Sequence, residues 1–257
     1  MKPPVMEIGK ETKIVLQDGT EIVGIVREAE EESDAWIVRY TIPAWGGYKT
    51  QSYRYMKNVD WSGIDKLKGM PVEYMSKSIT DFDWDIYGVD KSTEREIAES
   101  FITRFDDFRR QGRGLYISSK TKGSGKTMLA CCLGNELIQR RGIEVKFTSV
   151  TEYIAAEKEG REVLRNCRVL IVDDFGAQSE KEDWIREVVF GLVNRRYENN
   201  LTTIYTSNNP LATASKEERV QSRIYAVSQE IVLPGVSVRK KLADKHKAEF
   251  MKEILKG

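Results

Sequence analysis

From residue 114 onward the chain alternates between two hydrophobic periods. Short β-type runs at Leu115–Ile117, Val145–Thr148, Val169–Val172 and Thr202–Thr206 are separated by segments with helical spacing. One helical pattern opens with Met128, Leu129, Ala130 and Leu133, and another starts over Thr151–Glu157. A third covers Trp184–Tyr197, with Trp184, Ile185, Val188, Val189, Leu192 and Val193 on one side. Strand and helix in alternation predict an α/β fold, a parallel sheet with flanking helices.

Residues 1–62 carry a different pattern. Lys13–Leu16 and Thr20–Val26 flank Asp18-Gly19, a hairpin signal, and Trp36–Ile42 and Tyr48–Tyr55 are further β-type runs. Gly46-Gly47 parts the last two runs, and the acidic stretch Glu28–Asp34 parts the middle pair. A small curled β-domain is expected, with an SH3-like barrel as one topology. Residues 63–112 form a connector that ends in a helix. Ile97, Phe101, Phe105 and Phe108 recur there at helical spacing, and Thr93 with Glu96 has the spacing of a capping box. The expected organisation is a β-rich partner-docking domain over 1–62, a connector and lead-in helix over 63–112, and the α/β domain over 113–257.

The first of the α/β strands enters a loop with specific chemistry. Leu115–Ile117 runs into Gly123-Ser124-Gly125-Lys126-Thr127, and Met128 begins a helix at once. Strand, glycine loop, Lys-Thr and helix in that order form a phosphate cradle, because backbone N–H groups and the positive helix end converge on the same point. Gly123, Ser124, Gly125, Lys126, Thr127 and Met128 are the expected nucleotide contacts. Lys126 would reach the β- and γ-phosphates, and the Thr127 hydroxyl would hold Mg2+. The full pattern, GxxxxGK[ST], has a glycine where this chain has Lys120.

A second constellation is VLIVDDFG, Val169–Gly176, an apolar strand ending in two acids. Strand carboxyl ends are where parallel α/β sheets bind ligands. Asp173, 47 residues after Lys126, would hold Mg2+ through water, and Asp174 would polarise an attacking water. The strand Thr203–Thr206 ends in Ser207-Asn208, and the Asn208 amide would orient that water. Arg219 and Arg223 lie four residues apart on one helical face. Either Arg223 reaches a neighbouring subunit's nucleotide as an arginine finger, with Arg219 in reserve, or both are solvated. Arg239 opens a lysine-rich terminal helix with Leu242, Phe250 and Ile254 as apolar residues, and would reach the γ-phosphate from a lid.

Composition narrows the field further. The 257 residues are 32% charged with a net charge of +1, which excludes a grossly basic nucleic-acid coat protein. Mean hydropathy is −0.48, and no apolar run nears the ~20 residues of a membrane span. The first residues lack the apolar segment of a signal peptide. Cys131, Cys132 and Cys167 are expected in the core. With His246 the one histidine and no CxxC spacing, a structural zinc site is not expected. A reducing cytoplasm, with no membrane partner, fits this composition.

GSGKT, IVDDFG, TSN, the Arg223 segment and Ser237-Val238-Arg239 keep an order that resembles the DnaC/DnaI helicase loaders and the related IstB transposition ATPases, members of the P-loop AAA+ class. Met70–Asp83 is similar to the family's lead-in, and Asn194–Asn208 to its run into the TSN motif. The resemblance covers about residues 70–250. It implies an ATPase of slow turnover, with ATP and Mg2+, that assembles as a ring or spiral. Lys126, Thr127, Asp173, Asp174, Asn208 and Arg239 would act in cis and Arg223 in trans. It also implies single-stranded DNA and a hexameric replicative helicase as partners, the latter gripped by the N-terminal domain. Asp174 stands where most AAA+ proteins carry Glu. The β-rich N-terminal domain differs from the helical or zinc-binding domain of the loaders. Phe147, Tyr153 and Lys146 are candidates for stacking on single strands, or are core. Trp45, Tyr48, Lys49, Tyr53, Arg54 and Tyr55 form a nucleic-acid face, a protein-docking face or a half-buried sheet. The alternative functions are an IstB-like helper of DNA transposition and a nucleotide-gated adaptor with little hydrolysis.

Overall fold

The computed structural model describes residues 7–15, 21–31, 35–44, 47–56, 69–75, 77–177, 182–244 and 247. The Asp18-Gly19 turn, Gly46 with Trp45, His246, Phe250 and Ile254 lie outside these residues, as does the connector over 57–68.

Strands β1 (Glu11–Val15), β2 (Glu21–Glu31), β3 (Ala35–Ala44) and β4 (Gly47–Met56) pair antiparallel in chain order. Alternation along β3 buries Val38, Tyr40 and Ile42 and exposes Arg39. Ile14 and Val26 complete this small core. Two expectations are corrected. The acidic stretch does not interrupt the strands: β2 runs through Glu28–Glu31 after a bulge between Val26 and Glu28. Its carboxylates face solvent, and Glu28 pairs with Arg39 at 2.5 Å, so charge is accommodated on the wet face of the sheet. Nor is a barrel closed. Among the described residues β1 pairs with β2 alone and β4 with β3 alone, which makes an open meander.

The lead-in wraps toward the α/β domain through 3-10 turns at Val72–Tyr74, Ile79–Asp81 and Asp85–Tyr87. The helix expected over Thr93–Phe108 is two helices, α1 (Ser92–Thr103) and α2 (Phe105–Arg110). The Thr103 hydroxyl donates back to the Glu99 carbonyl at the end of α1, a bond that bends helices, and Arg104 leaves helical geometry with φ −110°. Thr93 does not cap α1. The N-cap is Lys91, without a side-chain cap bond, and the Asp90 carboxylate just before it accepts the Ser92 N–H at 2.9 Å and the Ser92 hydroxyl at 3.1 Å. Phe101 packs edge-on against Phe105 and Phe108, as the spacing predicts.

The remaining elements are β5 (Gly114–Ser118), α3 (Lys126–Arg141), β6 (Val145–Ser149), α4 (Val150–Ala155), α5 (Lys158–Asn166), β7 (Val169–Phe175), α6 (Asp183–Glu198), β8 (Thr202–Ser207), α7 (Glu218–Val227) and β9 (Ser228–Val232). Residues 238–244 are helical. The strands form one parallel sheet in the order β6-β7-β8-β5-β9. β9 was not legible as a strand, because it follows α7 without a loop and buries little besides Ser228 and Ile231. Each face of the sheet has its own core. Leu115, Ile117 and Ile171 pack with α3, Phe101 and Phe105, whereas Tyr116, Leu170 and Tyr205 pack with Ile185, Val189 and Ile224. Trp184 is 53% exposed rather than part of the buried side of α6; it sits in the first turn of the helix and donates to Glu182. The three cysteines are buried and unbridged, and burial raises each thiol's pKa.

Close approach in the sheet explains one glycine. A Cβ on Gly114 would stand 1.9 Å from the Thr203 carbonyl oxygen on β8, so no larger residue fits between these strands.

Candidate nucleotide site

The sheet order builds the site. β8 lies between β5, which feeds the glycine loop, and β7, which carries the acids. The end of β8 therefore stands between Lys126 and Asp173. Gly123 and Gly125 hold φ of +72° and +96°, the left-handed region glycine adopts freely. A Cβ on Gly125 would meet the Tyr87 hydroxyl at 3.0 Å and the Phe82 ring at 3.3 Å. That hydroxyl donates to the Ser124 carbonyl at 2.6 Å, so the lead-in holds the outside of the loop. Among the described residues Asp174 and Asn200 are the non-glycine residues with positive φ. Lys120, in place of the first loop glycine, is thus free of that strain.

Lys126 is 5% exposed at the start of α3. Its ammonium donates to the Thr121 carbonyl at 3.1 Å, the Ser124 hydroxyl at 3.3 Å and the Asn208 Oδ1 at 3.0 Å. Burial lowers its pKa, opposed by the charges of Asp174 and Asp173. The Thr127 hydroxyl donates to Asp173 Oδ1 at 2.9 Å, and the Thr206 hydroxyl donates to the same oxygen at 2.5 Å. Burial raises the Asp173 pKa, and these two bonds oppose it. A buried ammonium beside a carboxylate–hydroxyl pair fits a polyphosphate with a hard divalent cation. The ammonium takes phosphate charge, and the two oxygens at Thr127 and Asp173 are donors of the kind Mg2+ selects.

Asp174 is exposed, with φ +52°, beside Asp173. Arg239 donates its backbone N–H to the Gly123 carbonyl at 3.0 Å, which brings the C-terminal helix onto the loop. Lys241 ties the same helix to the Ile86 carbonyl at 2.9 Å. Arg239 also lies by the Tyr74 hydroxyl, whose pKa is pushed up to about 12 chiefly by burial. Gly123, Ser124, Gly125, Lys126, Thr127, Asp173, Asp174, Asn208 and Arg239 are thus brought to one place, with Met128 half-buried in α3.

Arg223 is not brought there by its own bonds. It donates to Asn194 Oδ1 at 2.8 Å and stacks over Phe190 and Tyr197, on a face made by α6 and α7. Arg219 shares this face over Phe190. The stacking role for Phe147 and Tyr153 is corrected. Both are buried, Tyr153 accepts from Arg165, and Lys146 pairs with Glu144. Of the N-terminal aromatic set, Tyr48 is exposed, Trp45 lies outside the described residues, and Lys49, Tyr53, Arg54 and Tyr55 are described in backbone alone. Sequence reasoning missed Tyr87, which belongs to no motif, and gave no role to Thr206 although it opens the TSN motif; each acts through a contact between distant segments.

A parallel five-stranded sheet with a glycine loop, two acids and an Asn at its carboxyl edge defines a P-loop nucleotide-binding domain of the AAA+ class. The chain belongs to the IstB-like ATP-binding family, whose model, IstB-like ATP binding protein, matches residues 70–219. It is 31% identical over 108 residues to the replicative helicase loader DnaI of Bacillus subtilis (strain 168). That match takes in 38% of this chain and 34% of the loader, about a third of its length. Its fold is similar to the crystal structure of DnaI, with TM-score 0.52 and 26% identity over 64% of this chain and 94% of that one. The DnaC helicase loader is similar in fold too, with TM-score 0.53 and 22% identity over 63% of this chain and 99% of that one. Among the described residues no helix is long and apolar enough to cross a membrane.

Proposed function

We propose that this protein is an ATPase that loads a hexameric replicative helicase onto single-stranded DNA. The observation that carries the ATPase reading is the convergence of Lys126, Thr127, Asp173 and Asn208 at the ends of three strands. Its likeness to DnaI, a replicative helicase loader, supports the wider role.

In this reading Gly123–Gly125 cradle the phosphates through backbone N–H groups, and Lys126 neutralises charge on the β- and γ-phosphates. Thr127 and Asp173 hold Mg2+, which when bound neutralises phosphate charge. Asp174 orients and polarises the attacking water, and the Asn208 amide fixes its position while touching Lys126. Arg239 senses the γ-phosphate from the C-terminal helix. Arg223, held on α7 against α6, completes the site of a neighbouring copy in a ring or spiral. The N-terminal sheet docks the helicase, and ATP state switches between holding and releasing single-stranded DNA. The family match to IstB-like proteins supports a second reading, a helper of DNA transposition.

The test is affinity purification of the tagged chain from its native host with ATP and Mg2+, alongside ATPase measurement. Recovery of a hexameric helicase supports the loader, and recovery of a transposase replaces it with the transposition helper. Asp174→Asn should bind ATP but turn over about a hundredfold slower. Unchanged loading by that variant would favour a nucleotide-gated adaptor.

A further inference from the structure

We infer that Thr206 is a positioning residue of the ATPase centre, a hydroxyl that sets the geometry of both β7 acids at once. This inference rests on reading the site as an ATPase. The parallel ladder pairs Val172 with Tyr205 and Phe175 with Ser207, so two residues of β7, Asp173 and Asp174, stand opposite the single residue Thr206. Such a bulge re-aims side chains and leaves a backbone group without its ladder partner. The Thr206 side chain replaces that partner. Its Oγ1 accepts the Asp174 N–H at 3.0 Å and donates its proton to Asp173 Oδ1 at 2.5 Å.

A hydroxyl has one proton to give, and here it goes to a carboxylate that can only accept. The direction of both bonds is therefore determined. Thr206 is 0% exposed, so water has no ready access to substitute for either bond. The amide bond holds Asp174 in its left-handed conformation at φ +52°, which keeps its carboxylate exposed on the ligand side. The hydroxyl bond holds Asp173 against Thr127, whose hydroxyl reaches the same oxygen. The neighbouring Ser207 closes the bulge from the other side, donating to the Phe175 carbonyl at 2.6 Å. Thr202 and Thr203 on the same strand make no such contact with the acids; Thr203 accepts from Arg196 instead.

The test compares the full-length wild type with Thr206→Val and Thr206→Ser. It reads kcat and KM for ATP, the Mg2+ concentration for half-maximal activity, Mg2+-dependent binding of a fluorescent ATP analogue, and thermal unfolding. Val keeps the shape and removes both bonds. Thr206→Val is expected to lower kcat about tenfold or more and to raise the Mg2+ requirement, with analogue binding without Mg2+ within about twofold of wild type. Thr206→Ser is expected to recover kcat to within about threefold of wild type. A merely structural role would not divide Mg2+-dependent from Mg2+-independent binding. Wild-type kcat and Mg2+ requirement in Thr206→Val, or equal losses in Val and Ser, would overturn the inference. If Val fails to fold, Ser against Thr206→Ala reads the same hydroxyl: an active Ser with a defective Ala supports the inference, and equal activity refutes it. If the wild type hydrolyses no ATP, the ATPase reading has failed, and Mg2+-dependent analogue binding alone still decides whether Thr206 orders the acids.

Discussion

At the residue scale the least expected group is Arg196, 1% exposed on α6. Among the described residues no carboxylate pairs with it. Its guanidinium donates instead to the carbonyls of Leu164 at 3.1 Å and Cys167 at 3.0 Å near the end of α5, to the Thr202 carbonyl at 2.7 Å, and to the Thr203 hydroxyl at 2.8 Å. The cation meets the negative end of a helix and joins α5, α6 and β8. Arg196→Leu should cost about 3 kcal/mol in urea unfolding, because several buried carbonyls lose their donor together. Arg196→Lys should recover little, since an ammonium lacks the planar fork. Asp90 gives a pH prediction. The Ser92 N–H and hydroxyl hold its pKa below the ordinary 3.8. A depressed acid stabilises the fold above its unfolded pKa and loses that contribution as pH falls through the folded value. The urea midpoint of wild type should therefore exceed that of Asp90→Ala at neutral pH, and the gap should close below about pH 4.

At the element scale α6 and α7 form a face that does not belong to this chain's own phosphate loop. Arg223 is held by Asn194 and two aromatic rings, which fixes the cation on this face. Arg223→Ala should leave unfolding stability within about 1 kcal/mol of wild type. The same variant should lower ATP turnover about a hundredfold or more if the arginine works in trans. Lys126→Ala should be inactive through its own loop while keeping Arg223. Mixing the two inactive variants should restore a fraction of activity, because some interfaces then pair an intact loop with an intact arginine. No recovery on mixing would place Arg223 outside the reaction.

At the scale of the whole molecule, the N-terminal sheet buries Ile14, Val26, Val38, Tyr40 and Ile42 in a core distinct from the two clusters of the α/β domain. In the proposed reading, removal of residues 1–62 should leave ATP binding in place while abolishing capture of the helicase. A truncated chain that still captures helicase would move the docking surface onto the α/β domain. The division has a physical logic. An antiparallel meander needs little beyond local turns, whereas the parallel sheet depends on crossovers that each span a helix.

Local regularity is what the sequence by itself determined. The phosphate loop was legible because glycines, lysine and threonine must be contiguous to make a cradle, and the acid pair because an apolar strand must end where the ligand sits. The core faces of α6 and of α1 with α2 followed from helical spacing. Tertiary structure decided what no single segment contains. The order β6-β7-β8-β5-β9 puts Asn208 against Lys126, 82 positions away in the chain. The bulge opposite Thr206, the Tyr87 hydroxyl on the glycine loop, the buried guanidinium of Arg196 and the docking of Arg239 on Gly123 are all contacts between remote segments. So is the burial of Phe147 and Tyr153, whose aromatic character fits a ligand face as well as a core. A periodic pattern records which side of an element is dry, and the partner across that dry side is chosen only when the chain has closed on itself.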